Sequence, residues 1–435
     1  MIQPAKRSIA RRWLTTPMAV VVLGATLLIP ATSVSAADPT DMVLEWNVNA
    51  INAIGNANGA TPPGLGQAPP LIGLQLAIVH AAIYDAVNAI DGTHEPYLDP
   101  IHAPPGASEA AAAATAGHDV LVALVPATLP QVTASLDTLY GISLGKIPDG
   151  QAKTDGIAVG AAAAAAMLAN RVGDGRANTS RTFPIGTEAG EWRPVPPLNA
   201  NVFSWVGDVR PFALDRTSRL RTEGPPALDS AQYAIEFNEV KAIGAQTGST
   251  RTAAQNELAN FIVANPVVLT HRMFRELAVS KHLSTAEQAR LFAMGTMSTA
   301  DAFIACWDNK NFHHFWRPQT AIREAADDGN PATEPDAGWL SLFPTPGYPD
   351  SPSGYNCIAA AMMHSAIEFF GTDFVSFELV GPTTRHYDRF TDYVRDAIDG
   401  RILTGFHFRH ADVQAAWIGK KAAQWVAKHE FGAVG

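Results

Sequence analysis

Cysteine is almost missing from this chain: its 435 residues include two, Cys306 and Cys357. A disulfide framework is thereby excluded, leaving one bridge or, as the favoured state, two buried thiols. Charged residues are sparse, 17% against 47% hydrophobic, which excludes a disordered chain and leaves ample material for a core. Alternating runs of β-branched residues are nearly absent, so a sheet-built fold is not expected. Beyond the N-terminus no apolar run reads as long enough to cross a bilayer. Basic residues are outnumbered, 31 to 41.

The N-terminus departs from these trends. Lys6, Arg7, Arg11 and Arg12 precede an apolar run at 17–30, and small residues follow at Ser33, Ser35, Ala36 and Ala37. That order predicts a secretory signal at 1–37, too short to be an anchor. Arg11-Arg12 before Trp13-Leu14 is compatible with twin-arginine export. The mature chain would be secreted or periplasmic. Without those four basic residues it keeps 27 of the 31 against 41 acidic ones, a net charge near −14. Such a surface disfavours nucleic acid and anionic membranes.

What the chain does have is helical periodicity. Residues 74–90, 109–124 and 157–171 carry Ala-rich apolar stripes at spacings of three and four, as do 231–245, 253–263 and 284–307. The expected fold is all-α, with an N-terminal helical half at 38–225 and a C-terminal bundle at 226–435. His80, His118 and Asp85 lie on these stripes and read as buried structural groups. Segment 173–226 interrupts the pattern with Pro, Gly, Arg and Trp. Its Trp192, Phe203, Trp205 and Phe212 suit a loop wrapped on the core, because a structureless loop of this length is uncommon in a compact fold.

Three segments of the second half carry chemistry. WDNKNFHHFWRP (307–318) closes a helix near Trp316, since a residue before proline is pushed out of the α region. Lys310 and Arg317 are two turns apart there and would share a face, a point charge beside a planar fork, suited to a multiply charged oxyanion. SPSGYN (351–356) opens another helix. Ser353 can cap it, Gly354 admits close approach, and the free amides face an anion. GRILTGFHFRHAD (400–412) sets Arg401 and His407 about 600° apart on a continuous helix, so Gly405 must turn the chain for the two to meet. Each segment alone reads as an ordinary helix end.

In this order the three segments match K-x6-R-P, P-S-G-H and R-x5-H. The chain therefore resembles the superfamily of vanadium haloperoxidases and type 2 phosphatidic acid phosphatases. The fuller W-x2-K-x4-F-W-R-P run, with Trp307, Phe315 and Trp316, is more similar to the vanadium-dependent haloperoxidases. The resemblance implies a haloperoxidase/acid-phosphatase-like helical fold with vanadate as cofactor. It implies that Lys310, Arg317, Ser353, Gly354 and Arg401 hold the oxyanion, and that His407 is the axial metal ligand. Trp307 and Tyr348 would line a halide pocket, and Lys310 would polarise peroxide. The partners implied are hydrogen peroxide, a halide and a small organic acceptor; a homodimer is compatible with the sequence.

The chain departs from the pattern twice. Tyr355 stands where the family has its acid–base histidine, and an acid usually four residues beyond the metal-binding histidine is five beyond, at Asp412. Asp412 is still expected to orient His407. A phenol, with a pKa near 10, donates a hydrogen bond but rarely shuttles protons at pH 7. The Tyr355 hydroxyl is expected to face the oxyanion or water, with His313 and His314 as substitute proton sources. The alternatives are an acid phosphatase whose nucleophile is His407, and an oxyanion-binding protein that has lost catalysis.

Overall fold

A computed structural model describes residues 41–434, which belong to one compact unit. The expected signal at 1–37 lies outside the described residues. The first helices are α1 (Met42–Gly55), α2 (Pro69–Asp91), α3 (Glu109–Leu124), α4 (Pro130–Gly145) and α5 (Gln151–Asn170). After the long loop come α6 (Ala231–Ile243), α7 (Ala253–Phe261), α8 (Pro266–Ser280) and α9 (Thr285–His313). The chain ends with α10 (Pro318–Arg323), α11 (Gly354–Phe370), α12 (Phe390–Leu403) and α13 (Arg409–His429). Among the described residues the one sheet is a hairpin, β1 (Phe377–Val380) paired antiparallel with β2 (Thr384–Tyr387). The all-α expectation is met.

Local chemistry explains the helix starts. Ser108 and Ser230 cap α3 and α6 by accepting the amides of Ala111 and Tyr233. Thr252 with Gln255, and Ser284 with Glu287, form reciprocal capping boxes at α7 and α9. Proline opens α2, where its missing N–H costs nothing, and Gly92 ends that helix at φ +68.

The 29-residue α9 organises the unit. It packs on α2 from one helical set and on α11 and α13 from the other. Close approach needs small residues: a Cβ on Gly73 of α2 would lie 2.8 Å from the Phe303 ring of α9. The expected boundary at 225–226 falls in the irregular stretch before α6.

One expectation is corrected. Two helices, α2 and α5, do reach the length and mean hydropathy of a membrane span, 1.5 and 1.2. In α2 that apolar window is 89% buried within the protein, as in a core helix, whereas in α5 it is 33% buried.

The long loop is wrapped on the core. It holds two short 3-10 turns, and Trp192, Trp205 and Phe212 are buried. Asp301 of α9 pins it by accepting the amides of Phe212, Ala213 and Leu214 at 2.6, 2.8 and 2.7 Å. Arg171 holds the same stretch through the Pro211 and Arg210 carbonyls at 3.1 and 2.5 Å. His80 is enclosed as a structural group, receiving Asn47 at 2.8 Å, and Asn47 also meets His271 at 2.7 Å.

Candidate oxyanion site

The first motif does not run on as a helix. α9 ends at His313, and His314, at φ +50, adopts the left-handed conformation and donates its amide to the Lys310 carbonyl. Trp192 N–H donates to His314 O and Trp316 N–H to Gly190 O, both at 2.9 Å, so the wrapped loop takes the hydrogen bonds a longer helix would use. Lys310 and Arg317 therefore meet across a turn, not on one helix face as the spacing implied. The third motif bends as expected: α12 stops at Leu403, Gly405 has φ +74, and His407 lies in the bend before α13.

These breaks bring the cations together. Lys310 Nζ donates to the carbonyls of Pro349 and Asp350 at 2.6 and 3.0 Å. Arg317 donates through Nε to Tyr348 O and through Nη1 to Phe406 O, each at 2.8 Å, with Nη1 also 3.2 Å from His407 Nε2. Lys310 and Arg317 are 0% exposed and Arg401 is 6% exposed. Arg317 Nη2 and Arg401 Nε are buried with no partner among the described residues. Burying a guanidinium N–H without an acceptor is costly, so these groups point to an anion.

Burial lowers the Lys310 ammonium to about 8 and shifts both guanidinium groups down. A bound anion acts in the opposite direction. Burial, followed by the charges of Arg317, Arg401 and Lys310, holds His407 well below its ordinary range, so its imidazole is neutral at pH 7.

Ser353 starts α11, yet its hydroxyl makes no capping bond, which corrects the capping expectation. Its amide instead donates to Ala411 O at 2.9 Å, tying α11 to the start of α13. The next amides have no intrahelical acceptor. A Cβ on Gly354 would lie 2.8 Å from the Trp307 ring, so only glycine lets the ring and the helix start meet. Trp307 and Tyr348 rings lie 5.3 Å apart, and Lys310 Nζ sits 5.7 and 5.1 Å from them.

Tyr355 does not face the anion with its hydroxyl. The ring lies 5.1 Å from the Arg401 guanidinium, while the hydroxyl meets that of Tyr393 at 2.9 Å. Burial raises the phenol to about 12. His314 bonds Pro184 O at 2.6 Å, and the His313 ring packs against Gly224, where a Cβ would lie 2.4 Å from it. Asp412 forms no hydrogen bond with His407 among the described residues; it accepts from Asn356 at 2.7 Å. His407 Nδ1 instead meets Asp350 Oδ1 at 2.8 Å.

Residues 290–434 match the family model of the VCPO second helical-bundle domain. The match spans the C-terminal third of the chain. Vanadium chloroperoxidase of Curvularia inaequalis is 28% identical over 157 residues, 34% of this chain and a quarter of that protein's length. Among solved structures, the crystal structure of the first bacterial vanadium-dependent iodoperoxidase has a TM-score of 0.74 at 22% identity, covering 91% of this chain and 96% of that one. A holo-type bacterial vanadium-dependent chloroperoxidase has a TM-score of 0.63 at 17% identity, covering 83% and 92%. These two share the fold. The resemblance read from the three motifs is borne out.

Every residue singled out for the site falls inside the VCPO-type domain. The sequence reading missed three contributors. Asp350 lies in an irregular stretch with no periodicity to mark it. Tyr393 is one of several aromatics in its region. Phe203, 6.4 Å from the Tyr348 ring, belongs to the wrapped loop. A carboxylate beside the second motif was the one available signal. Cys306 and Cys357 are buried free thiols, Cys306 Sγ lying 3.5 Å from Pro352 O.

Proposed function

We propose that the chain is an exported vanadium-dependent haloperoxidase that uses hydrogen peroxide to oxidise a halide, which then reacts with a small organic acceptor. The observation that carries this reading is the buried convergence of Lys310, Arg317 and Arg401 on a neutral His407, with Arg317 Nη2 and Arg401 Nε lacking partners among the described residues. Those groups fit a vanadate ion. Lys310, Arg317, Arg401, Ser353 and the Gly354 amide would hold its oxygens, and His407 Nε2 would be its protein ligand.

When bound, vanadate supplies a Lewis-acidic centre for peroxide activation without a change in oxidation state. The residues do the rest. Three fixed cations offset negative charge in a water-poor site, where preorganised charge acts most strongly. Trp307 and Tyr348 wall the space beside Lys310. Burial keeps Tyr355 protonated across neutral pH and its hydroxyl is paired with that of Tyr393, so the chain lacks the usual imidazole shuttle. Turnover is expected to be slow.

The test is bromination of a phenol dye by the purified protein with peroxide and bromide, with and without added vanadate. Vanadate-dependent bromination supports the reading; vanadate-inhibited hydrolysis of a phosphate ester replaces it with phosphatase chemistry through His407. The Asp350–His407 pair favours that second reading enough to include it, since a base-side carboxylate also serves a nucleophilic imidazole. Tight vanadate binding without either activity marks a binding protein.

A further inference from the structure

Asp350 is 0% exposed and touches three parts of the site. Its Oδ1 lies 2.8 Å from His407 Nδ1 and 3.9 Å from Arg317 Nη1, and its carbonyl accepts Lys310 Nζ at 3.0 Å. Its own amide donates to Phe315 O at 2.9 Å, which fixes the backbone from which the carboxylate projects. An ionised carboxylate only accepts, so the short contact requires the proton to sit on His407 Nδ1. The other nitrogen, Nε2, then keeps its lone pair beside Arg317. Asp412, the acid nearer in sequence, is committed to Asn356.

We propose that Asp350 is the positioning residue of His407: it fixes the Nδ1–H tautomer and the ring's angle, so that Nε2 faces the oxyanion as ligand or nucleophile. Neutral imidazole presents one donor and one acceptor, and which nitrogen carries the proton is set by the bond the other face makes. A backbone acceptor would orient the ring too, but a carboxylate also stabilises positive character on the imidazole as Nε2 gives up electron density. The inference rests on the reading of this pocket as an oxyanion site; the tautomer itself does not.

The test is nitrogen NMR of the full chain labelled with ¹⁵N-histidine and free of oxyanion, the His407 signal assigned with His407→Gln. Wild type should show a protonated Nδ1 and an unprotonated Nε2. Asp350→Ala should lose that signature and weaken calorimetric binding of vanadate and of inorganic phosphate at least tenfold. Asp350→Asn, whose amide oxygen can accept the same N–H, should recover part of both. Asp412→Asn should leave the tautomer as in wild type. An Nε2–H tautomer in wild type overturns the proposal, as does an Asp350→Ala protein with unchanged signal and affinity within twofold. If Asp350→Ala does not fold, wild type and Asp350→Asn decide. Failure of wild type to bind either anion while the Nδ1–H tautomer stands would remove the oxyanion reading alone.

Discussion

The hydroxyls of Tyr355 and Tyr393 meet at 2.9 Å between α11 and α12, both side chains buried. The contact turns the phenol away from the anion cradle. Tyr355→His, shorter and titrating near neutrality, should release that contact and face the cradle. Bromination across pH 5–8 should rise at least tenfold, towards the roughly 10²–10⁴ that acid–base catalysis contributes. Vanadate affinity should stay within a small factor. A His variant that binds vanadate but is no faster at any pH would sink this account. Tyr393→Phe should destabilise the fold by about 1–3 kcal/mol in urea titration, because the Tyr355 hydroxyl loses its partner.

The cations should act through charge. Lys310→Ala and Arg401→Ala each remove a charge-assisted bond worth about 1.5–3 kcal/mol, so calorimetric oxyanion affinity should fall by about 10- to 150-fold. Because burial puts the free Lys310 ammonium near 8, raising the pH through that value removes its charge and should weaken binding. Lys310→Arg keeps the charge and should abolish that decline. Unchanged affinity in both alanine variants would remove the site.

Acid should expose the buried imidazoles. His80 is lowered to about 3 by burial and by Arg275, and His271 lies well below its ordinary range. The unfolded chain takes up protons near 6.5 while the native one does not, so their contribution to stability is present above pH 6.5 and lost as pH falls towards 3. Each imidazole contributes about 1.4 kcal/mol per pH unit in that window. Asp85, Asp301 and Asp350, raised to about 6, oppose this between about pH 6 and 4, because there the native state binds the protons. The difference between wild type and His80→Asn isolates the imidazole. Urea titrations from pH 7 to 4.5 should show the variant's slope reduced by about one proton.

Asp301→Ala should strand the amides of Phe212, Ala213 and Leu214. At about 1–3 kcal/mol for each buried unsatisfied amide, the loss should be at least about 3 kcal/mol. Limited proteolysis should then cut the wrapped loop first. Cleavage elsewhere, with the loop still protected, would show that Asp301 is not its anchor.

The helices were legible because a 3.6-residue period repeats along each; 109–124 coincides with α3, and 231–245 overlaps α6 nearly throughout. α1, α4, α8, α10 and α12 were not named. The cradle's cations were legible by motif, but their geometry was not. A continuous helix through Trp316 was the local preference, and tertiary bonds from Trp192 and Gly190 overrode it. Asp350 and Asp412 show the limit most clearly. Distance along the chain favoured Asp412, whereas the partner of His407 comes from 57 residues upstream. Only the fold could choose between them.

The unpartnered guanidinium nitrogens of Arg317 and Arg401 also make the pocket a thermodynamic sensor. Without an anion the native state holds three like charges in a buried space, so part of the folding free energy is withheld until something fills it. An oxyanion that binds only the native form adds about 2.7 kcal/mol of stability at one hundred times its dissociation constant. Melting temperature should therefore climb with vanadate or phosphate concentration even in a protein that turns nothing over. Availability of the ion would then govern how long the folded chain survives, whatever it does to halides.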